Sequence, residues 1–277
     1  MAIITISRGT RSNGEALARR LSERLDYKCK SREVVLEGAR KYNILAEELF
    51  KLLDESPNFW KKLTREHERY LIYVRCALID AVKEDNVVYH GSAGQFFLRG
   101  ISHVLRILLD APLEDRVRAV MQESGRDNKE AADYLSRADS QRNRWFKLIF
   151  GEEWRDPSLY DLSFSTRNLS IDSICEITSL AVNRKEFHTT DESVQRLNNL
   201  SLECEIKAAF AADDYIWDLP VDIIANNGVV ELRGMVKDKK QRDSLAETAA
   251  QVKGVTDCRV LINLSTDRLT RGIYGHD

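Results

Sequence analysis

Three features of the sequence predict an α/β fold: a doubly wound parallel sheet followed by a second, small α+β domain. Short β-branched runs alternate with helical stretches over the first 184 residues. A glycine-bearing turn joins the first such run to the first helix. Near the C-terminus, Asn227-Gly228 stands between two alternating apolar runs, a strong sign of a hairpin.

Taken in order, Ile3 to Ile6 is short, apolar and β-branched, as a parallel strand buried on both faces requires. Ser7 to Gly14 is turn-rich. Glu15 to Leu25 has helical spacing, with Leu17, Leu21 and Leu25 on one face. Residues from about Arg32 to Lys83 are helical in pattern, with a break near Ser56-Pro57. Val87 to His90 and Val104 to Leu109 are two further buried strands. Leu113 to about Phe150 is charged and helical. Tyr160 to Ser165 reads as a last strand and Ile171 to Asn183 as a last helix. In a parallel sheet of this kind ligands bind beyond the carboxyl ends of the strands. The loops after Ile6, His90, Leu109 and Ser165 are therefore where a site is expected.

Polar sequence from Lys185 to Ser193 is read as a linker, dividing residues 1–186 from residues 191–265. The second part has the order αββαβ: a helix over about Asp191 to Ala211, runs at Leu219 to Ala225 and Val229 to Gly234, a helix over Lys239 to Val252 and a strand over Cys258 to Leu264. The tail from Thr266 to Asp277 is expected to be loosely ordered.

Composition narrows the function. The chain of 277 residues has 31% charged side chains and a net charge of −2, which argues against a protein that coats a nucleic acid polymer. Residues 191–277 carry net −4 and the rest net +2, so a basic site for phosphates is expected in the first part. No apolar run approaches the ~18 residues needed to span a bilayer. Met1 is followed at once by an apolar strand, without a basic n-region, so a cytoplasmic location is expected. The five cysteines lie far apart, with no CxxC pair and no Cys/His cluster, so neither a zinc site nor a disulfide framework is expected.

The first turn is the motif with chemical content. Gly9-Thr10-Arg11-Ser12-Asn13-Gly14-Glu15-Ala16 keeps the two glycines of the phosphate-loop pattern GxxxxGK[ST], with Glu15 at the lysine position and Ala16 at the Ser/Thr position. Such a turn aims backbone N–H groups and the positive end of a helix at phosphate oxygens. A plain βα turn is the alternative reading of the pattern alone.

Longer stretches carry a resemblance. Ile4-Thr5-Ile6-Ser7-Arg8, the segment Arg11 to Ala18, Ser31-Arg32-Glu33-Val34-Val35, Val87 to Leu98, Arg106 to Arg116, Asp139-Ser140-Gln141-Arg142, and Gly151 to Thr166 with its Trp154, Asp156-Pro157 and Tyr160-Asp161-Leu162 resemble, in the right order, the cytidylate kinase-like family. The resemblance implies a five-stranded nucleoside monophosphate kinase-like fold with a helical insert and an arginine-bearing lid. It implies transfer of a phosphoryl group from ATP, with Mg²⁺, to CMP or a similar nucleotide. The loop departs from the family at Arg11 and Asn13, where glycines are usual. Ser31 and Ser92 likewise replace the Asp and the Arg of two family segments.

On that reading the phosphates are held by Arg8, Arg11, Ser12, Asn13 and Gly14. The lid arginines are Arg142, Arg137 and Arg144, the acceptor is held by Arg32 and Arg75, and Asp110 is placed for the metal. Arginine suits these tasks because its planar fork grips phosphate oxygens two at a time. The rival reading is a kinase fold kept as a non-catalytic nucleotide sensor or scaffold.

Residues 191–265 resemble the BON domain. Val221 to Gly234, Arg242, Ala246 and Val252 to Cys258 carry that resemblance. It implies a small ligand, a lipid or a protein partner for this part. Association of the chain with itself is left open.

Overall fold

The computed structural model describes residues 2–31 and 65–265. Arg32, the rest of the helical stretch expected up to residue 64, and the tail beyond Ser265 lie outside the described residues. Contacts divide the chain into two compact units between Leu197 and Asn198.

The first unit is built on a parallel sheet of five strands in the order β2-β3-β1-β4-β5. Its central strand β1 (Ile3–Arg8) pairs with β3 (Val87–His90) on one side and β4 (Val104–Asp110) on the other. Edge strand β5 (Leu162–Ser165) lies against β4. Edge strand β2 (Lys28–Ser31) lies against β3. The sequence reading placed no strand at Lys28–Ser31. Its run Lys-Cys-Lys-Ser is polar and half-exposed, as an edge strand can be, and so lacks the apolar signature of its neighbours.

Helix α1 (Gly14–Leu25) packs Leu17, Ala18 and Leu21 onto the sheet. Helix α2 (Arg65–Val82) and the short α3 (Gly94–Phe97) flank β3. Helices α4 (Leu113–Ser124) and α5 (Asn128–Phe150) follow β4. Helix α5 starts at a capping box in which Asp127 accepts from the Glu130 amide and the Glu130 side chain accepts from the Asp127 amide. Helix α6 (Ile171–Val182) packs Ile174 and Cys175 beside α1. Ile4, Ile6, Leu105, Ile107 and Leu109 fill the core on one face of the sheet, and Ile3, Val104 and Leu108 are buried on the other, which is why these strands read as near-continuous apolar runs. The carboxyl ends of β1 and β4 meet where Gly9 N–H donates to the Leu109 carbonyl, so the loop after β1 is laid across the end of β4.

Helix α7 (Asp191–Ala211) begins before the division between the units and ends in the second. There, β6 (Val221–Asn226) and β7 (Val229–Val236) form an antiparallel hairpin, and β8 (Asp257–Leu264) joins β7 in parallel. Helix α8 (Lys239–Ala250) makes the crossover. Phe210, Val230, Leu232, Leu245 and Ile262 form the core. Asn227 and Gly228 have φ of 49° and 84°, the left-handed pair that a two-residue hairpin turn demands.

Cys29, Cys175 and Cys258 are free thiols. Among the described residues no helix is long and apolar enough to cross a membrane.

Candidate functional site: the phosphate loop

The loop Gly9–Asn13 is held from beneath by side chains that point back at its own backbone. Ser12 is fully buried, and its hydroxyl donates to the carbonyls of Gly9 and Leu109 at 2.8 and 3.1 Å. Arg142, on α5, donates through Nη1 to the Arg8 carbonyl at 2.7 Å and through Nη2 to Thr10 Oγ1 at 3.2 Å. Arg116, on α4, donates through Nε to the Thr10 carbonyl at 2.8 Å. Its Nη2 reaches both carboxylate oxygens of Asp139 at 2.9 and 2.8 Å. Arg116 and Arg142 are 3% and 6% exposed, so both charges serve inside the fold. A buried guanidinium is tolerated only where its N–H groups find acceptors, and the loop carbonyls supply them.

This bracing leaves the upper side of the loop open. Arg11 and Asn13 take left-handed backbone angles, φ 62° and 61°, which the usual glycines would adopt without strain. Asn13 stands at the N-cap of α1 and makes no side-chain cap, so the first-turn amides of α1 are left for another acceptor. A Cβ at Gly14 would lie 2.2 Å from Arg8 Cδ, and one at Gly9 would lie 2.7 Å from an Asp110 carboxylate oxygen. A larger residue at either position would have to displace the side chain of Asp110 or Arg8. Glu15, at the lysine position, pairs outward with Arg19 at 2.8 Å.

The carboxylates stand at the same edge. Asp110 ends β4 and accepts from the amide of Ala111 at 3.0 Å. Arg155 Nη2 lies 3.4 Å from Asp110 and 3.1 Å from Asp139. The guanidinium carbons of Arg142 and Arg155 lie over the buried Trp154 ring, 5.1 and 4.7 Å from its centroid. A small pocket opens beside the loop between Arg8, Ser92, Gln95, Arg142 and Trp154. Its floor is a chain of hydrogen bonds: Ser7 to Gln95 at 2.6 Å, Gln95 to Tyr160 at 3.0 Å, and Tyr160 to the Trp154 carbonyl. Burial pushes the Tyr160 hydroxyl up to about 12. A wider cleft of about 620 Å³ shares Gln95. Its charged groups are largely paired with one another, Arg99 with Glu152 and Arg106 with Asp161.

Among the residues singled out from sequence, Arg8, Ser12, Asn13, Gly14, Asp110 and Arg142 come together at this loop. Arg11 turns away to an ion pair with Glu123 on α4. Arg137 and Arg144 are exposed on α5, with Arg137 Nε bonded to the Asp133 carbonyl. Arg75 lies half-buried on α2. Arg116 and Arg155 were not singled out. Arg155 stands in the Trp-Arg-Asp-Pro stretch that carried the resemblance, and that position was the available signal.

The residues present fit ATP and Mg²⁺ in part. The open amides and the two Cβ-free positions suit phosphate oxygens, while the lysine and the hydroxyl next to it are absent. Mg²⁺ is usually held by one or two carboxylates together with substrate phosphates, and Asp110 is placed for that need, while both oxygens of Asp139 accept from Arg116. No group of three His, Cys, Asp or Glu side chains suited to a metal occurs among the described residues.

Comparison with known proteins agrees with this architecture. Residues 3–168 match the model of the cytidylate kinase-like family, and residues 199–264 match the BON domain. A cytidylate kinase of Methanopyrus kandleri is 28% identical over 189 residues, covering 65% of this chain and 92% of that protein. One of Thermococcus kodakarensis is 24% identical over 181 residues, covering 65% and 87%. The crystal structure of an uncharacterized protein from Eubacterium ventriosum superimposes with a TM-score of 0.50 at 17% identity, covering 67% of this chain and all of that one, which speaks to the fold alone. The chain thus belongs to the cytidylate kinase-like family and carries a BON domain C-terminal to its kinase-like part.

Proposed function

We propose that the first unit binds ATP with Mg²⁺ at the loop Arg8–Gly14 and transfers its terminal phosphoryl group to CMP or a similar nucleotide in the cytoplasm. One observation carries the reading: the loop is braced from below by Ser12, Arg116 and Arg142 while the α1 amides above it stay open. A braced cradle is what phosphoryl transfer asks of a protein, because that reaction is catalysed by positioning and by neutralising charge. Arg8, Ser12, Asn13 and Gly14 hold the phosphates through backbone and side chain, and Asp110 faces the metal, which when bound offsets charge on the phosphates. Arg142 keeps the loop in shape from α5. Arg137 and Arg144, exposed on the same helix, are the cations available to a closing lid. Arg32 and Arg75 are assigned to the acceptor.

A second reading has its own support. The lysine and hydroxyl of the phosphate loop are absent, and two buried arginines are spent on loop carbonyls. That is the arrangement of a nucleotide sensor whose BON domain answers to a small ligand, a lipid or a protein. Titration calorimetry with ATP, CMP, dCMP, UMP and AMP, run beside a coupled assay of phosphoryl transfer, separates the two. Binding of ATP with transfer to an acceptor supports the kinase. Binding of ATP with no transfer to any acceptor leaves the sensor.

A further inference from the structure

We propose that Arg155 is the mobile cation of this site: it leaves its resting carboxylates, Asp110 and Asp139, to contact the phosphates of the bound nucleotide. The inference rests on the reading that the loop takes a nucleotide.

Besides the loop's own Arg8 and Arg11, three arginine side chains reach the loop among the described residues, and two of them are committed. Arg116 and Arg142 are nearly inaccessible, and their donors go to loop carbonyls, to Thr10 Oγ1 and to Asp139. Moving either would undo the loop that is to receive the phosphates. Arg155 differs on each point. Its side chain is 38% exposed. Its contacts to Asp110 and Asp139 run through one nitrogen at 3.4 and 3.1 Å, at or beyond the long end of charge-assisted bonds. Its Nε is buried and has no hydrogen-bond partner among the described residues. A buried donor of this kind is costly to leave unmet, and an incoming phosphate oxygen would meet it.

Position agrees with this. Arg155 Nη2 lies 3.6 Å from where a Cβ of Gly9 would stand, so the guanidinium is beside the first glycine of the loop. At rest the guanidinium is stacked on the buried Trp154 ring, 4.7 Å from its centroid. While Arg155 rests on Asp110 and Asp139 it neutralises two carboxylates that would otherwise repel a polyphosphate. When it turns to the phosphates, Asp110 is released toward the metal that travels with the nucleotide, while Asp139 stays on Arg116. One exchange thus prepares both halves of the site, and it also supplies a cation where Glu15 replaces the lysine.

The test is calorimetric binding of ATP and of inorganic triphosphate, with and without Mg²⁺, to the full chain and to Arg155→Ala, Arg155→Lys, Asp110→Asn and the double variant Asp110→Asn with Arg155→Ala. Melting curves accompany each, and a variant with a lowered midpoint is compared below its transition. Arg155→Ala is expected to weaken ATP about 10- to 100-fold, the scale of a charge-assisted contact. Arg155→Lys is expected to recover part of the loss. Without Mg²⁺, Asp110→Asn should tighten ATP in the presence of Arg155 by a larger factor than in the Arg155→Ala background. A merely structural Arg155 predicts looser binding for Asp110→Asn, and simple relief of charge predicts the same factor in both backgrounds; either result overturns the proposal. So does Arg155→Ala with unchanged affinity while the wild type binds. If the wild type binds neither ATP nor triphosphate, the nucleotide reading itself fails, and this inference with it.

Discussion

Arg142 Nη1 donates to the main-chain carbonyl of Arg8 across 2.7 Å, tying the middle of helix α5 to the strand end that opens the loop Gly9–Asn13. The two residues are 134 positions apart, and neither has a local reason to be near the other. Arg142→Ala removes this bond and the one to Thr10, and leaves a loop carbonyl without its donor. Denaturant unfolding is expected to show a loss of about 2–3 kcal/mol, and nucleotide affinity should fall with it. A stable Arg142→Ala protein with an intact affinity would show that the loop keeps its shape without this brace.

Arg8 and Arg11 flank the same loop but are not equivalent. Arg8 lines the pocket and packs its stem against Gly14, whereas Arg11 pairs with Glu123 at the surface. Replacing both with alanine is expected to weaken ATP binding by about 1–3 kcal/mol. Single substitutions should assign nearly all of it to Arg8, since an exposed ion pair contributes at most about 1 kcal/mol. Titration calorimetry of the two single variants decides this, and an equal split would refute the assignment.

Gly14→Ala tests the close approach directly. A methyl group there would stand 2.2 Å from Arg8 Cδ, so the Arg8 side chain must move. Gly14 opens helix α1, and alanine is intrinsically better than glycine in a helix by about 1 kcal/mol. The expected pattern is a large fall in nucleotide affinity with little change in melting temperature. An unfolded variant would mean that the crowding is carried by the backbone.

Tyr160 gives a pH signature. Its hydroxyl ionises at about 12 in the folded chain, above the ordinary value of 10.0, because burial disfavours the phenolate. The folded state therefore holds this proton more tightly than the unfolded state does. The stabilisation is fully present below pH 10, and it is lost as pH rises from there toward 12. Tyr160→Phe should lower stability at neutral pH, where the bonds to Gln95 and Trp154 are lost, and should flatten the decline above pH 10. Melting midpoints of both proteins between pH 8 and pH 12 test this; parallel curves would rule it out.

The two parts are expected to fold separately. Fragments 1–186 and 190–277 should each give a cooperative melt, since each part has its own apolar core. The division of contacts falls later, inside α7, so a second pair cut at Leu197 is the informative comparison. If neither pair yields a cooperative N-terminal fragment, the independence is wrong.

By itself the sequence determined what depends on neighbours along the chain. The buried strands β1, β3 and β4 were legible because a strand covered on both faces must be apolar throughout. The hairpin was legible because only Asn-Gly-type pairs adopt two left-handed residues in a row readily. The loop announced itself by two glycines at a fixed spacing. What the tertiary structure alone decided are relations across the sheet. The polar edge strand β2 exists because β3 offers it a partner. Among the arginines, the sequence offered many of equal standing, and charge alone could not rank them. Their roles follow from which elements the sheet order brings to one edge. With β4 beside β1, Arg116, Arg142 and Arg155 all reach the loop, the first two donating to its main chain and Arg155 resting on Asp110 and Asp139, while Arg11, Arg137 and Arg144 are left facing outward. A guanidinium becomes a brace or a free cation according to the acceptors within its reach, and those acceptors lie on other elements of the chain.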